Sequence, residues 1–386
     1  MRIGIDARFL THPQQGGFKT YTENLVVALA NVDAENEYVL YLDRSPYQKT
    51  ILPQRPNFTF RIVPGSFPLV GMPWREQVAL TRQVARDRID LLHSPCLTAP
   101  LKLSCSSVVT IHDMLWFFPE RFSRASSQSV RRRLMEMYYR WVPQYAAKNA
   151  SAIITVSQSA KESILQHLNL DSKPIFVIYE AAGPRFRRID DAKQIETIRQ
   201  KYQLPHQFIL AMGSADPRKN LSMLVQAYAL LSAELKANYK LAIIWAHSFL
   251  TVELTRQIES LGLTKHVRFL TGVSDGDLVL IYNAAALFVF PSLYEGFGLP
   301  VLEAMACGVP VVASNNSSIP EIVGEAGLLV NVQDSQKMAN VMTSVLIDET
   351  VRTNLVQKGL GRAADFSWEL CARQTIDTYK LVFSGH

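Results

Sequence analysis

Short apolar runs recur along the whole chain, and segments of helical or loop character separate them. This alternation constrains the fold more than any other feature, because strands that alternate with helices form a parallel sheet covered on both faces. The pattern occurs twice. In the first half the predicted strands are residues 2–7, 38–42, 58–63, 89–92, 107–111, 152–156 and 175–178.

The second half repeats the pattern after a pause at Ala182-Gly183-Pro184, where we place the linker between two domains. Its predicted strands are residues 208–212, 241–245, 267–270, 287–290, 309–313 and 328–330. A chain of 386 residues with 48% hydrophobic residues is long enough for two domains with full cores. We therefore predict a domain from residues 1–183 and a second from residues 184–366, followed by an amphipathic helix in residues 367–386.

The composition excludes several classes of protein. No apolar run reaches the length of a bilayer span, and no signal peptide is recognisable before the first strand. The four cysteines form neither a C-x-x-C pair nor a disulfide framework, so we expect a reduced, cytoplasmic protein. The net charge of +6 arises in residues 1–183, which carry 21 basic and 15 acidic residues, whereas the rest carries 19 of each. No nucleic-acid-binding motif accompanies this excess, so nucleic acid is not expected as a partner.

One stretch of the second half combines glycines with carboxylates. After the run 287–290, a loop with Glu295 and Gly298 precedes a predicted helix that ends at Gly308. Glycines let a ligand approach the backbone, and free N–H groups at a helix start bind anions. Glu303 follows Glu295 by eight residues, about two helical turns, which predicts both carboxylates on roughly one face. Carboxylates beside an anion site suit a ribose and a hexose joined by a diphosphate.

A second motif places two cations after another strand. The run 208–212 is followed by Gly213, and Arg218-Lys219 then precedes a predicted helix. Adjacent cations near the N–H groups of a helix start suit a diphosphate, because arginine offers a planar fork and lysine a point charge. The alternative is a solvated basic turn without a ligand.

Two features of the first half follow strands. Gly16-Gly17 precedes a helix predicted for residues 21–30, and this pair suits a phosphate or sugar near the backbone, or a flexible surface turn. His112 ends the run 107–111, at the edge where α/β sheets bind ligands. Its side chain could bind a substrate hydroxyl or close a turn with Asp113. The G-x-G-x-x-G motif of nicotinamide-binding proteins is absent after the first strand.

Residues 294–308 (YEGFGLPVLEAMACG) resemble the E-x7-E signature of the retaining glycosyltransferases of family 4. Residues 74–77 (WREQ), 93–95 (HSP) and 111–113 (IHD) resemble the mannosyltransferase-like branch of that family. The resemblance extends over nearly the whole chain and is strongest in residues 208–330. It implies the GT-B fold, an α/β architecture of two Rossmann-like domains with doubly wound parallel sheets facing a cleft. The C-terminal helix is then expected to pack on the first domain.

The resemblance also implies roles for the residues singled out above. Glu295 would hold hydroxyls of the donor sugar, and Glu303 would accept a hydrogen bond from the ribose. Arg218 and Lys219 would bind the diphosphate, and His112 would reach the donor sugar. The other residues that the resemblance assigns to the donor are Gly16, Gly17, Gly213, Gly272, Val273, Phe297, Gly298 and Leu299.

Two positions depart from the family pattern. Ser214 stands where many members have an arginine, so Arg218 and Lys219 would have to supply the positive charge alone. Trp245 stands where relatives usually have a glycine, and it would crowd the donor pocket or pack beside it. Asp275 and Asp277 form a D-x-D sequence, which binds metal in other proteins, but Ser274 and Asp277 also fit a helix capping box. We favour capping and expect neither a metal nor a cofactor, the nucleotide sugar being a co-substrate.

The sequence thus predicts a retaining hexosyltransferase that moves mannose from GDP-mannose to a glycan or lipid-linked acceptor during assembly of a cell-surface polysaccharide or glycolipid. A UDP-hexose is the alternative donor. A GT-B sugar-nucleotide epimerase and a non-catalytic nucleotide-sugar-binding module are the alternatives from other classes.

Residues 121–148 suggest a further partner, because basic residues dominate there. They are Arg121, Arg124, Arg131, Arg132, Arg133, Arg140 and Lys148, against the single acid Glu136 in that predicted helix. The residues that recur at helical spacing are Val130, Leu134, Met137 or Tyr138, Trp141 and Tyr145, which predicts an amphipathic helix with aromatic residues on its apolar side. One interpretation is a helix packed on the first domain with a solvated basic face. The other is a surface that meets anionic lipid at the inner face of the membrane.

Overall fold

The computed structural model describes residues 1–12, 16–47, 50–65, 71–117, 130–170, 172–245 and 251–385, with the backbone alone at residues 130–134 and 136. The described chain divides into two compact units. The first runs from Met1 to Glu180 and includes residues 367–385. The second runs from Ala181 to Phe366.

The first unit contains a seven-stranded sheet in which each pair of neighbouring strands is parallel. The strand order is β3-β2-β1-β4-β5-β6-β7. The strands are β1 (Arg2–Ile5), β2 (Glu37–Leu42), β3 (Phe58–Ile62), β4 (Leu91–Ser94), β5 (Ser106–Ile111), β6 (Ala152–Thr155) and β7 (Ile175–Val177). The order reverses between β1 and β4, which makes the sheet doubly wound.

The second unit contains a six-stranded parallel sheet of order β10-β9-β8-β11-β12-β13. Here the order reverses between β8 and β11. The strands are β8 (Phe208–Gly213), β9 (Lys240–Trp245), β10 (Val267–Leu270), β11 (Leu287–Phe290), β12 (Val311–Ser314) and β13 (Leu328–Val330). Every strand predicted from the sequence is present, and the two doubly wound sheets confirm the predicted GT-B fold class.

Helices connect the strands within each unit. In the first unit they are α1 (Arg8–Thr11), α2 (Gly17–Val32), α3 (Gly71–Trp74), a π-helix (Arg75–Leu80), α4 (Thr81–Arg86), α5 (Val130–Asn149), α6 (Gln158–His167) and, from the chain end, α16 (Trp368–Ser384). In the second unit they are α7 (Ala192–Tyr202), α8 (Leu221–Ala229), α9 (Ala233–Asn238), α10 (Val252–Ser260), α11 (Asp275–Ala284), α12 (Leu299–Ala306), α13 (Ile319–Val323), α14 (Ser335–Ile347) and α15 (Glu349–Ala364).

The Trp-Arg-Glu-Gln sequence forms part of a buried ionic cluster. The helical segment starts at Gly71 and becomes a π-helix at Arg75. The Arg75 guanidinium donates to both carboxylate oxygens of Asp6, at 3.2 and 2.8 Å. The Glu76 carboxylate accepts from Arg8 at 2.6 Å. Each buried charge therefore has a partner, as charges away from water require.

Helix α16 completes the core of the first unit although it lies at the end of the sequence. The Tyr379 hydroxyl is 2.6 Å from His93 Nδ1, and His93 Nε2 is 2.8 Å from Thr110 Oγ1. Trp368, at the start of α16, meets the ring of Tyr21 edge to face. Residues from both ends of the chain thus pack together around β4 and β5.

Helix α5 exposes the residues that the sequence analysis placed on its apolar side. Trp141 and Tyr145 are 51% and 49% exposed, whereas Val142 and Ala146 are buried. Trp141 and Tyr145 therefore do not pack on the first unit, as the first of the two interpretations of this helix required. Arg121 and Arg124 lie outside the described residues, as do the side chains of Arg131, Arg132 and Arg133. None of the helices in the described part of the chain is long and apolar enough to span a bilayer.

Candidate functional site

The two sequence motifs of the second unit meet where the strand order reverses. Arg218 and Lys219 lie in a short 3-10 turn after β8, and Glu295 lies in the loop after β11. Strands β8 and β11 are neighbours in the sheet although β9 and β10 come between them in sequence. Ligands of open α/β sheets bind beyond the carboxyl ends of the strands at such a reversal. The fold therefore places these residues where a ligand is expected.

Glu295 is the centre of this cluster. Its Oε1 accepts from Lys219 Nζ at 2.7 Å and from Ser292 Oγ at 2.6 Å. Its Oε2 is 3.6 Å from Arg218 Nη1, and the Glu295 side chain is only 12% exposed. Arg218 Nε also lies 3.2 Å from Asp216 Oδ2. Two cations and two carboxylates thus balance each other in the structure.

The charges around Glu295 keep it ionised. Burial alone would raise the pKa of its carboxyl group, but the positive charges of Lys219 and Arg218 outweigh that effect and the pKa lies below its ordinary value. Hydrogen bonds from Lys219 and Ser292 act in the same direction. Glu295 is therefore a carboxylate that accepts hydrogen bonds at neutral pH.

Neighbouring loops fix the backbone of the cluster. Ser318 Oγ donates to the carbonyls of Glu295 and Phe297, at 3.0 and 2.6 Å. Asn220, with a left-handed φ of 51°, donates from Nδ2 to the carbonyls of Pro291 and Val332. Asparagine tolerates this conformation better than most residues. Asn220 and Ser318 therefore hold the loops that carry the cations and the carboxylate.

Glu303 lies in different surroundings from Glu295, so the prediction that the two share one face of a helix is wrong. Helix α12 begins at Leu299, four residues after Glu295. Glu303 is buried, and its Oε2 accepts from the Tyr282 hydroxyl at 3.2 Å. Burial raises the pKa of Glu303 to about 7, against a weaker lowering by the Tyr282 hydrogen bond and by Arg185.

This raised pKa predicts a pH-dependent loss of stability. The ordinary pKa of the group is 4.5 and the folded value is about 7, so between them the folded chain keeps a proton that the unfolded chain has lost. The stability that depends on this proton is present below pH 4.5 and is lost as the pH rises through 7. We expect urea unfolding midpoints at pH 5 and pH 8 to differ more for the natural chain than for Glu303→Gln. An equal difference in the natural chain and in Glu303→Gln would contradict the assignment. So would a smaller difference that appears only in the control Glu325→Gln, whose carboxyl group is exposed.

The predicted glycines differ in what their local structure requires. Gly298 caps the N-terminus of α12 with φ of 117°, and a Cβ there would lie 2.8 Å from Ile319 Cδ1. A Cβ on Gly213 would lie 2.7 Å from Leu221 Cδ1 and 2.8 Å from Ile243 Cγ2, so this glycine permits close packing. Gly272 has a left-handed φ of 65° and open space beside it, before Val273.

Other predicted donor residues are placed as follows. The Phe297 ring is buried and meets Phe366, and Leu299 opens α12. Trp245 is buried at the end of β9, where it packs against Phe269 and lies 3.1 Å from the Cβ position of Gly213. Trp245 therefore packs inside the unit. Ser214 Oγ accepts from the Asp216 N–H at 3.2 Å.

The D-x-D sequence serves helix capping, as predicted. Ser274 is the N-cap of α11, and its Oγ accepts from the backbone N–H of Asp277 at 3.2 Å. Asp277 Oδ2 accepts from Lys201 at 2.7 Å, and Asp275 pairs with Arg185 at 3.0 Å. Within the described ranges, no group of three or more His, Cys, Asp or Glu side chains is placed to hold a metal ion.

In the first unit, His112 lies beyond the carboxyl end of β5. Its Nδ1 is 3.0 Å from Glu180 Oε1 and its Nε2 is 2.9 Å from the Pro95 carbonyl. Gly16 caps α2, whose first residue is Gly17, so this helix begins four residues before the predicted start. The Cβ positions of both glycines face open space. Sequence reasoning found His112 but missed Glu180, whose only signal is an acidic residue just after a strand.

Two family models match the chain. The model described as glycosyl transferases group 1 matches residues 194–362, and the model described as glycosyltransferase family 4 matches residues 15–182. The O-antigen chain mannosyltransferase B of Escherichia coli is 36% identical over 300 residues, which cover 77% of this chain and 76% of that protein. This chain belongs to glycosyltransferase family 4.

Other matches differ in how much they cover. The serotype-specific mannosyltransferase WbdA of Escherichia coli is 38% identical to this family 4 chain over 235 residues. Those residues cover 60% of this chain but only 29% of WbdA, so the chain spans less than a third of that relative. Anabaena HepE, solved in complex with UDP and glucose, has a TM-score of 0.72 and 22% identity, with coverage of 98% and 99%. That likeness shows a shared fold.

Proposed function

We propose that this family 4 protein is a retaining glycosyltransferase that transfers mannose from GDP-mannose to a glycan or lipid-linked acceptor. The observation that carries the proposal is the cluster of Glu295 with Lys219 and Arg218 at the strand reversal of the second unit. The names of the relatives, mannosyltransferases of O-antigen chains among them, support the sugar and a role in cell-surface polysaccharide or glycolipid assembly.

The cluster suits a reaction in which a nucleoside diphosphate leaves. The bond between the anomeric carbon and the diphosphate breaks, the acceptor hydroxyl forms the new bond, and its proton passes to a leaving-phosphate oxygen. Negative charge then grows on the diphosphate, and Arg218 and Lys219 with the backbone N–H groups near Gly298 would stabilise it. Such stabilisation of developing charge is usually the largest contribution to catalysis.

Glu295 would change partners when the donor binds. In the structure its carboxylate pairs with Lys219 Nζ at 2.7 Å and lies 3.6 Å from Arg218 Nη1. A diphosphate would compete for both cations and leave the Glu295 carboxylate to accept from hydroxyls of the sugar. Glu303 would accept from the ribose, and His112 is assigned to the sugar on the family resemblance alone.

A panel of nucleotides tests this function. Thermal unfolding of the full chain is measured with GDP, UDP, ADP and TDP and with their sugars, because a ligand that binds only the folded state raises the melting temperature. We expect the largest increase with GDP and GDP-mannose. Transfer is then followed from GDP-mannose to a tagged mannose disaccharide, and NMR of the product should show the anomeric configuration of the donor. No increase with any nucleotide would contradict the proposal.

UDP-hexose is the second candidate donor, because HepE was solved with UDP and glucose. An increase with UDP and none with GDP would select it. A sugar nucleotide consumed without acceptor, with solvent hydrogen entering the sugar, would instead indicate an epimerase. Binding without turnover of any sugar nucleotide would favour a non-catalytic module.

We also propose that α5 meets an anionic lipid surface. Met137, Trp141 and Tyr145 recur every four residues, and all three are exposed, at 57%, 51% and 49%. Exposed Arg140 and Lys148 flank them on the same helix. Tryptophan and tyrosine favour membrane interfaces, and each basic residue near anionic lipid contributes about 1 kcal/mol. Charge complementarity therefore supports lipid as the partner of this surface.

We expect the full chain to sediment with anionic but not neutral liposomes, and less so at high salt. The double change Trp141→Ser and Tyr145→Ser should reduce binding severalfold, as should Arg140→Ser with Lys148→Ser. The double change Leu165→Ser and Leu381→Ser removes exposed apolar residues from α6 and α16 and serves as the control. Equal binding to both lipids, or none at low salt, would count against the lipid surface.

A further inference from the structure

His112 is held between two groups that accept hydrogen bonds. One is the Glu180 carboxylate, 3.0 Å from Nδ1, and the other is the Pro95 carbonyl, 2.9 Å from Nε2. The rings of Phe18 and Tyr21 meet the His112 ring edge to face, with centroids 5.1 and 4.6 Å away. The imidazole is therefore held at both nitrogens and contacted by two aromatic rings.

These partners determine the protons on the ring. A backbone carbonyl can only accept, and an ionised carboxylate can only accept. A neutral imidazole has one N–H, so one of its nitrogens would direct a lone pair at an oxygen lone pair. Two N–H groups satisfy both contacts, and the ring then carries a positive charge opposite Glu180.

His93 provides a comparison within the same unit. It is buried like His112, but its partners are the hydroxyls of Tyr379 and Thr110, which can donate as well as accept. A neutral His93 is therefore compatible with both contacts. Burial, helped by the charge of His112, lowers the pKa of His93 to about 3. The two histidines differ in their partners, and Glu180 supplies the difference in charge.

We infer that Glu180 is a positioning residue that keeps His112 doubly protonated, so that His112 acts as a fixed cation and hydrogen-bond donor and not as a base. For the reaction itself this inference rests on the proposed function. In that reaction the Nε2–H group would exchange the Pro95 carbonyl for an oxygen of the donor. The Nδ1–H bond to Glu180 would keep the ring in place during the exchange.

The charged surroundings of His112 support this assignment. Burial lowers its pKa, but the hydrogen bond and the charge of Glu180 raise it more, so that the pKa lies above its ordinary value. The Pro95 carbonyl and Asp113 act in the same direction. His93 is the neighbouring histidine on β4, and it is uncharged at neutral pH. Tyr21, whose own pKa burial raises strongly, is also neutral there.

The test is an NMR titration of the His112 ring in the full chain, with His112→Gln used to assign the resonance. The natural chain should titrate above the ordinary histidine pKa of about 6.5. In Glu180→Gln, which keeps the size and an acceptor oxygen but loses the charge, the His112 pKa should fall by about 1 to 3 pH units. Exposed Glu369→Gln, in the same unit, is the control and should leave it unchanged.

Activity gives a second measurement. The decline of kcat at high pH should move to lower pH in Glu180→Gln, while Glu180→Asp, which keeps the charge, should restore part of the natural profile. An unchanged His112 titration in Glu180→Gln, or a natural chain that titrates below pH 6.5, would overturn the inference even if transfer is intact. If no sugar nucleotide is turned over but the titration behaves as expected, the proposed function fails and the assignment of Glu180 stands.

Discussion

Glu295→Gln is expected to reduce mannosyl transfer about 100-fold or more while the chain keeps its affinity for GDP. The amide has the size of the carboxylate but no charge near the anomeric carbon, and the loss of one such electrostatic group typically costs about 100- to 1,000-fold in rate. Lys219 would at the same time lose its carboxylate partner, and Arg218 would keep only the carboxylate of Asp216. Affinity for GDP should therefore stay the same or become a few-fold tighter.

Steady-state kinetics with GDP-mannose and calorimetry with GDP measure the two effects separately. Glu325→Gln is the matched control, because Glu325 is a highly exposed carboxylate of the same unit that also faces a lysine, Lys358, at 3.5 Å. A Glu295→Gln chain that retains most of its turnover would show that Glu295 does not act on the sugar. A large loss of GDP affinity would instead place Glu295 in nucleotide binding.

Lys219→Ala and Arg218→Ala should each weaken GDP binding about tenfold or more, since a hydrogen bond to a charged group contributes roughly 1.5–3 kcal/mol. Removal of either cation also leaves Glu295 with one fewer partner at a buried position. The double variant should lose more affinity than either single variant, although residues that share a partner need not combine additively.

Calorimetry with GDP measures these losses, and circular dichroism checks that the variants fold. Lys201→Ala is the matched control, because Lys201 also donates to a carboxylate at 2.7 Å, that of Asp277, on an exposed surface of the same unit. Unchanged GDP affinity in both Lys219→Ala and Arg218→Ala would exclude a diphosphate from this cluster.

The sheets could be predicted because their strands are buried on both faces and read as continuous apolar runs. The run at residues 287–290, for example, is β11 with all four residues buried. The ends of the strands were harder to predict. The strand predicted at residues 89–92 is Leu91–Ser94, because His93 and Ser94 are polar residues that the sheet also buries. Polar residues at the carboxyl ends of strands hide the true end from a reading based on hydrophobicity.

Site residues could be found one at a time but not as a cluster. Lys219 and Glu295 each stood out by motif, yet they are 76 positions apart and meet because β8 and β11 are adjacent. Glu180 escaped notice because no motif surrounds it, and its importance depends on His112, 68 positions away. On α5, the hydrophobic periodicity predicted a helix but not which of its faces is buried. Val142 and Ala146 have the same four-residue spacing as Trp141 and Tyr145, and only the first pair is buried.

The position of α16 has a consequence for how the protein is made. Residues 181–366 form the second unit, so its whole sequence is synthesised before α16. The first unit needs α16 for its core, because Tyr379 and Cys371 are fully or almost fully buried there and Tyr379 bonds to His93. During translation, every residue of the second unit is therefore made before the first unit can complete its core with α16. Premature termination near residue 366 would leave the apolar surface beneath α16 open to aggregation.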